Sequence, residues 1–179
     1  MRKIKGIAKI GLMVLFGIGL ALPAAAQRNL FRNAPEGFIP PPLHPKDTQL
    51  QAQRLAPGVY ALTSGKPAVD NSGFVVGARG VLVIDAHING AMARQIQAAV
   101  RKVTDKPILY LVNTNYHGDH TFGNYAFPAE TKIVAHRKTT EAMRNFEHEK
   151  RILLPTVNGD AKVFADVRLR LPDVVFEDS

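Results

Sequence analysis

From about residue 55 onward the chain alternates short apolar runs with turn residues, and the period of the alternation changes along the way. Gly58-Val59-Tyr60-Ala61-Leu62, Phe74-Val75-Val76 and Val81-Leu82-Val83-Ile84 are each bounded by Gly, Asn or Asp, which is the signature of strands. The Gly77-Ala78-Arg79-Gly80 link is short enough to close a hairpin between the last two. From Ala91 to Val103 the period lengthens. Met92, Ile96, Ala99, Val100 and Val103 recur at helical spacing, and Arg94, Gln97, Arg101 and Lys102 fill the opposite side. Pro107 closes that helix and opens the apolar run Ile108-Leu109-Tyr110-Leu111-Val112, another strand. Strands, then a helix, then a strand make an α/β pattern.

The pattern continues beyond residue 130. Thr131 to Ala135 reads as a short strand, and Thr139 to Ile152 as a charged helix with Glu147 and Arg151 spaced for an i, i+4 pair. Val163, Ala165, Val167, Leu169 and Leu171 alternate with Asp166, Arg168 and Arg170, which predicts a half-buried strand. Val174-Val175-Phe176 starts one more apolar element.

The N-terminal region has a different character. Arg2, Lys3, Lys5 and Lys9 precede an apolar stretch from Ile10 to Leu22, and Ala24-Ala25-Ala26 follows. That order is a secretory signal, with cleavage expected after Ala26. The stretch is short for a spanning helix, so no stable membrane insertion is expected once it is removed. Residues 27–54, with Pro35, Pro40, Pro41, Pro42 and Pro45, read as an irregular lead-in, and residues 55–179 as the folded domain. The net charge of +8 includes four cations of the signal. The remaining mild basicity has no concentrated run, so nucleic acid is not an expected partner. The absence of cysteine excludes thiol nucleophiles and thiolate-held metals. An exported, periplasmic or secreted protein is the expectation.

Candidate chemistry is concentrated in Asn113-Thr114-Asn115-Tyr116-His117-Gly118-Asp119-His120-Thr121-Phe122-Gly123-Asn124. Were the preceding strand to run on, Asn115, His117 and Asp119 would share one face. Gly118 would allow a bend that swings His120 toward them. Imidazole nitrogen with carboxylate oxygen is a donor set that suits zinc in hydrolytic sites. His44, His136 and His148 stand in contexts that read as linker, strand end and solvated helix face. Gly73, Gly77 and Gly80 do not form a phosphate-binding fingerprint. Neither Ser64 nor Ser72 lies in a Gly-x-Ser-x-Gly elbow.

These residues resemble the signature of the metallo-β-lactamase superfamily, His-x-His-x-Asp-His after a strand. The likeness takes in Asn113, Thr114, Gly118, Thr121, Gly123 and Asn124, and upstream Asn71-Ser72-Gly73-Phe74-Val75-Val76-Gly77 and Gly80 to Asp85. It implies an αββα sandwich, of which the chain carries the N-terminal half. It also implies one or two zinc ions, with His117 on the first and Asp119 and His120 on the second, and Asp85 orienting ligands from behind. Asn115 stands where most relatives have the first His. A carboxamide oxygen is a weaker zinc donor than imidazole, so that position is weakened, although one single-zinc lactamase subclass also has Asn there. The family's remaining ligands lie downstream of the last residue, so Ser179 reads as a truncation point.

The resemblance implies hydrolysis of a small-molecule amide, ester, lactone or related bond by metal-bound hydroxide, with Asp119 as ligand and orienter of the water. A different class of function competes with this: a non-catalytic relic, or a metal-binding half-domain completed by another chain or a second copy.

Overall fold

The computed structural model describes residues 43–66 and 69–178. The predicted signal and most of the Pro-rich lead-in lie outside the described residues. One seven-stranded sheet organises the rest, with spatial order identical to chain order: β1 Gln51–Ala56, β2 Val59–Thr63, β3 Ser72–Val76, β4 Val81–Ile84, β5 Ile108–Val112, β6 Lys132–His136 and β7 Val174–Phe176. β1 to β4 form an antiparallel meander. β4 to β7 run parallel.

The register explains why one face is buried. Tyr60 pairs with Phe74, Phe74 with Val83, Val83 with Leu111, and Leu111 with Ile133, so one apolar row crosses five strands. From Phe74 to Ile133 every member of that row is fully buried, and Phe74 stacks on Tyr60 with ring centroids 4.7 Å apart. Burial of a side chain the size of Phe74 is worth about 1.5–3 kcal/mol. One residue along, the row Val75, Leu82, Tyr110 and Lys132 faces the other way. Val75 and Tyr110 there are well exposed.

Helix α1, Gly90–Val103, covers the buried row. Asn89 caps it, its side chain accepting from the Met92 N–H, and Met92, Ala93, Ile96, Ala99 and Val100 bury its apolar stripe. A single-turn helix α2, Gly118–Thr121, follows β5. The charged helix expected over 139–152 is two: α3 Arg137–Met143 and α4 Phe146–Leu153, separated at Arg144 and Asn145. Glu147 pairs with Lys150 at 3.3 Å, one turn-position short of the expected Arg151.

Two expectations need correction. Gln51–Ala56, four of whose residues lie in the stretch read as irregular, is a strand. It is exposed along its whole length, so no buried apolar face announces it. The strand expected from Val163 to Leu171 does not form. Ala161–Phe164 is a 3-10 turn, and Val163, Phe164 and Val167 are buried from it. Arg170, expected to face away, donates to the carbonyls of Phe127 and Thr131, each at 2.8 Å. The segment packs irregularly, and its Arg170 guanidinium meets backbone carbonyls of the neighbouring stretch 124–131 in place of a neighbouring strand.

Candidate metal centre

The site lies at the carboxyl ends of the parallel strands β4 and β5. Strand β5 ends at Val112, so the even-spaced face expected for Asn115, His117 and Asp119 is not formed. Asn115 instead turns its carboxamide oxygen back to accept from the His117 N–H at 2.8 Å, an Asx turn. Asp119 and His120 then lie in the single turn α2. Gly118 is needed there for space: a Cβ would meet Leu153 and the Phe122 ring at 2.6 Å.

Two loops are stitched together beneath this turn. Ala86 N–H donates to the His120 carbonyl at 2.7 Å, and Gly123 N–H donates to the His87 carbonyl at 2.8 Å. Asn113 and Asn124, both almost fully buried, exchange amide hydrogen bonds at 3.0 and 2.8 Å. These two motif residues are framework. Ser72 secures the other side by donating to the carbonyls of Ile84 and Asp85.

Asp85 sits in the left-handed region, with φ 58, and is buried. It accepts from Thr114 N–H at 2.8 Å, from the Thr114 hydroxyl at 2.6 Å and from His120 Nδ1–H at 2.9 Å. That last bond fixes the tautomer, leaving the lone pair of His120 on Nε2. His120 Nε2 faces Asp70 Oδ1 at 4.0 Å. Asp70, Asp119 and His120 each offer one donor atom, and the three atoms lie within 4.8 Å of one another.

His117 is placed differently. Its ring is half exposed, and Nδ1–H donates to Glu149 Oε1 at 2.9 Å. Glu149 also accepts from Gly118 N–H at 3.1 Å and is buried. The motif thus has each imidazole backed by its own carboxylate, Asp85 or Glu149, with Nε2 left to face outward. That backing is the usual way in which a metal-binding imidazole is oriented. Glu149 lies in a run of charged residues that sequence reading places on a solvated face, and the adjacent His148 is indeed exposed. His136 caps α3 by accepting from Lys138 N–H and donates to the Glu177 carbonyl.

The donor set fits a divalent cation. Asp119 Oδ1 is buried and finds no hydrogen-bond partner. Its side chain adjoins another carboxyl, that of Asp70, which can hydrogen-bond it only by keeping a proton. Burial, then the hydrogen bond and negative charge of Asp119, push the Asp70 carboxyl up to about 7. His117 is raised, chiefly by its bond to Glu149. For His120, burial pulls down, but Asp85, Asp119 and Asp70 outweigh it and the net shift is upward. Burial lowers His87.

In the cation-free chain the folded state therefore holds the Asp70 proton more tightly than the unfolded state does. That stability is fully present below the unfolded value of 3.8 and is lost as pH rises to about 7. Asp70→Asn, which cannot ionise, is expected to melt with the wild type near pH 4 in chelator and above it at pH 8. Melting curves at the two pH values check this, and an offset independent of pH would count against it.

The family model described as the metallo-beta-lactamase superfamily matches residues 65–178. The linear primary-alkylsulfatase of Pseudomonas sp. (strain ATCC 19151) is 35% identical over 54 residues, 30% of this chain and 10% of that protein. A crystal structure of a metallo-beta-lactamase from Erythrobacter litoralis, with beta-mercaptoethanol in its active site, aligns at 24% identity and TM-score 0.49. The alignment covers 54% of this chain and 46% of that one. The DIM-1 metallo-beta-lactamase exposed to ceftazidime aligns at 11% identity and TM-score 0.51, over 73% of this chain and 52% of that one. The chain thus spans about half the length of these two solved structures and a tenth of the curated relative.

Proposed function

This chain belongs to the metallo-beta-lactamase superfamily, and on that premise we propose that it is an exported, zinc-dependent hydrolase centred on His117, Asp119 and His120. The observation that carries the reading is the pairing of each motif imidazole with a buried carboxylate, His120 with Asp85 and His117 with Glu149. A bound zinc ion supplies Lewis acidity, acidifying a water and polarising the oxygen of the scissile group.

The chain's own residues supply the rest. Asp85 and Glu149 hold the two Nδ1 protons, so Nε2 is the nitrogen each ring would offer to a metal, in competition with a proton. Asp119 accepts a hydrogen bond from the attacking water through a carboxylate oxygen and aligns it with the bond to be cut. The substrate is a small molecule with an amide, ester, lactone or related bond; the name of the alkylsulfatase relative adds sulfate esters to that set. The signal-like segment 1–26 supports export to the periplasm or beyond.

Zinc content of the purified mature chain, measured beside His117→Ala and Asp119→Ala, tests the reading. Zinc in the wild type, and an affinity at least about 100-fold lower in both variants, is the expected result. Negligible zinc in all three would end it. One competing reading is favoured by Asn115, whose oxygen is turned to the His117 N–H: a metal-holding half-domain that turns over nothing alone. Zinc binding with no hydrolysis across a panel of esters, lactones, β-lactams and alkyl sulfates would select it. A second chain that restores turnover would identify the complement.

A further inference from the structure

Asp70 belongs to none of the motifs in the sequence, yet it is the residue that meets Asp119 and His120. We propose that Asp70 is a third ligand to a divalent cation, closing a site with Asp119 and His120, and that His87 is the residue that positions it. This rests on the reading that the chain binds such a cation.

The distances carry the argument first. Donors around a zinc-like ion, with bonds of roughly 2.0–2.2 Å, stand about 3–3.5 Å apart. The separation of His120 Nε2 from Asp70 Oδ1 is 4.0 Å, and all three donor atoms lie within 4.8 Å. Small side-chain rotations close that gap. The directions agree with the distances. His120 has committed Nδ1–H to Asp85, so its lone pair is on the Asp70 side. Asp119 presents a buried oxygen without a partner.

The backbone of Asp70 is held as well. His87 Nε2–H donates to the Asp70 carbonyl at 2.9 Å. A carbonyl can only accept, so this bond assigns the proton to Nε2. The His87 side chain is only 2% exposed, and its Nδ1 has no partner. Asp85 and His87 both adopt positive φ, 58° and 66°. Non-glycine residues keep such conformations only where their surroundings over-determine them. The loop after β4 therefore fixes His120 through Asp85 and Asp70 through His87. Two carboxylates and one imidazole suit zinc or manganese and disfavour soft ions such as cuprous copper.

Titration calorimetry with zinc chloride on the full chain, stripped with chelator, tests the site. The set includes Asp70→Asn, His87→Ala and His87→Gln, with cobalt absorption as a second readout. Asp70→Asn is expected to bind at least about tenfold more weakly and to change the cobalt bands, while remaining folded by circular dichroism. His87→Ala is expected to lose about 10–100-fold. His87→Gln, whose amide N–H can reach the same carbonyl, should recover part of that loss. A wild type that takes up neither metal overturns both this inference and the reading beneath it. If the wild type binds and Asp70→Asn matches it in affinity and spectrum, Asp70 is no ligand and the hydrolase reading stands without it. Equal losses in the two His87 variants would remove the positioning role.

Discussion

Replacement of Asp85 by alanine is expected to destabilise the fold by about 3–5 kcal/mol and to weaken cation binding about 10–100-fold. Asp85 is 5% exposed and accepts from three donors: the Thr114 N–H, the Thr114 hydroxyl and His120 Nδ1–H. Alanine leaves the donors without an acceptor where water reaches poorly, and an unmet buried donor costs more than a satisfied bond returns. The backbone adds to the loss. Asp tolerates the left-handed conformation at φ 58 better than alanine does. His120 is then free to rotate, so the lone pair on Nε2 is no longer aimed. Asp85→Asn keeps one acceptor oxygen and is expected to lose less on both counts. Urea unfolding with and without zinc reads the two effects separately. An unchanged midpoint in Asp85→Ala would mean that the loop after β4 is held by other contacts.

Gly123→Ala is the second large effect, at about 3 kcal/mol, the upper part of the usual range for overpacking. An added Cβ would run into the Ala86 carbonyl and meet the Ala93 side chain at 3.0 Å. The first obstacle is backbone, which cannot rotate aside. The strain is placed where the two site loops are joined, at Gly123 N–H to His87 and Ala86 N–H to His120. Separation of the loops moves Asp119 and His120 away from Asp85 and Asp70, which stay with the loop after β4, so zinc affinity is expected to fall with stability. Gly159→Ala is the control. Gly159 has φ 73 but nothing within 4 Å of the added atom, so it should cost only backbone strain and leave zinc affinity unchanged. Equal loss of zinc affinity in both would show that the contact at Gly123 is not what holds the site.

The parts of the fold that are legible in the sequence are those whose burial is periodic. β2 to β6 and α1 each put one face on the core, and alternation or helical spacing records it. β1 has no buried face and so leaves no trace. Val163 to Leu171 alternates as a strand does, yet Val163, Phe164 and Val167 reach the core from a turn and an irregular segment. The apolar alternation is real in the sequence but burial does not follow it: adjacent Val163 and Phe164 are both buried, while Ala165 and Leu169 are exposed. The site shows the same division. Asp119 and His120 are neighbours in the chain, and Asp85 follows directly from an apolar strand. Asp70, His87 and Glu149 come together through folding alone. Glu149 is the sharper case, because it is buried although Glu147 and His148 before it are exposed and Lys150 after it is half-buried. The clue is visible only in retrospect: Leu153, one turn later, marks the inward face of α4.

The sheet's strand order, the same as its order along the chain, bears on how the protein reaches this state. Each strand docks on one already laid down, and none has to insert between two that are paired. The antiparallel meander needs only short turns, so its closure entropy is small. The parallel additions wait for longer crossovers, α1 before β5 and the motif turn before β6. Asp70 and Asp85 are therefore expected to be in place once the meander forms, with Asp119 and His120 joining after the crossover has closed. Contacts of short sequence separation form fast and distant ones slowly. On that order, zinc present during refolding is expected to bind only after the crossover has brought Asp119 and His120 to the two acidic groups of the meander.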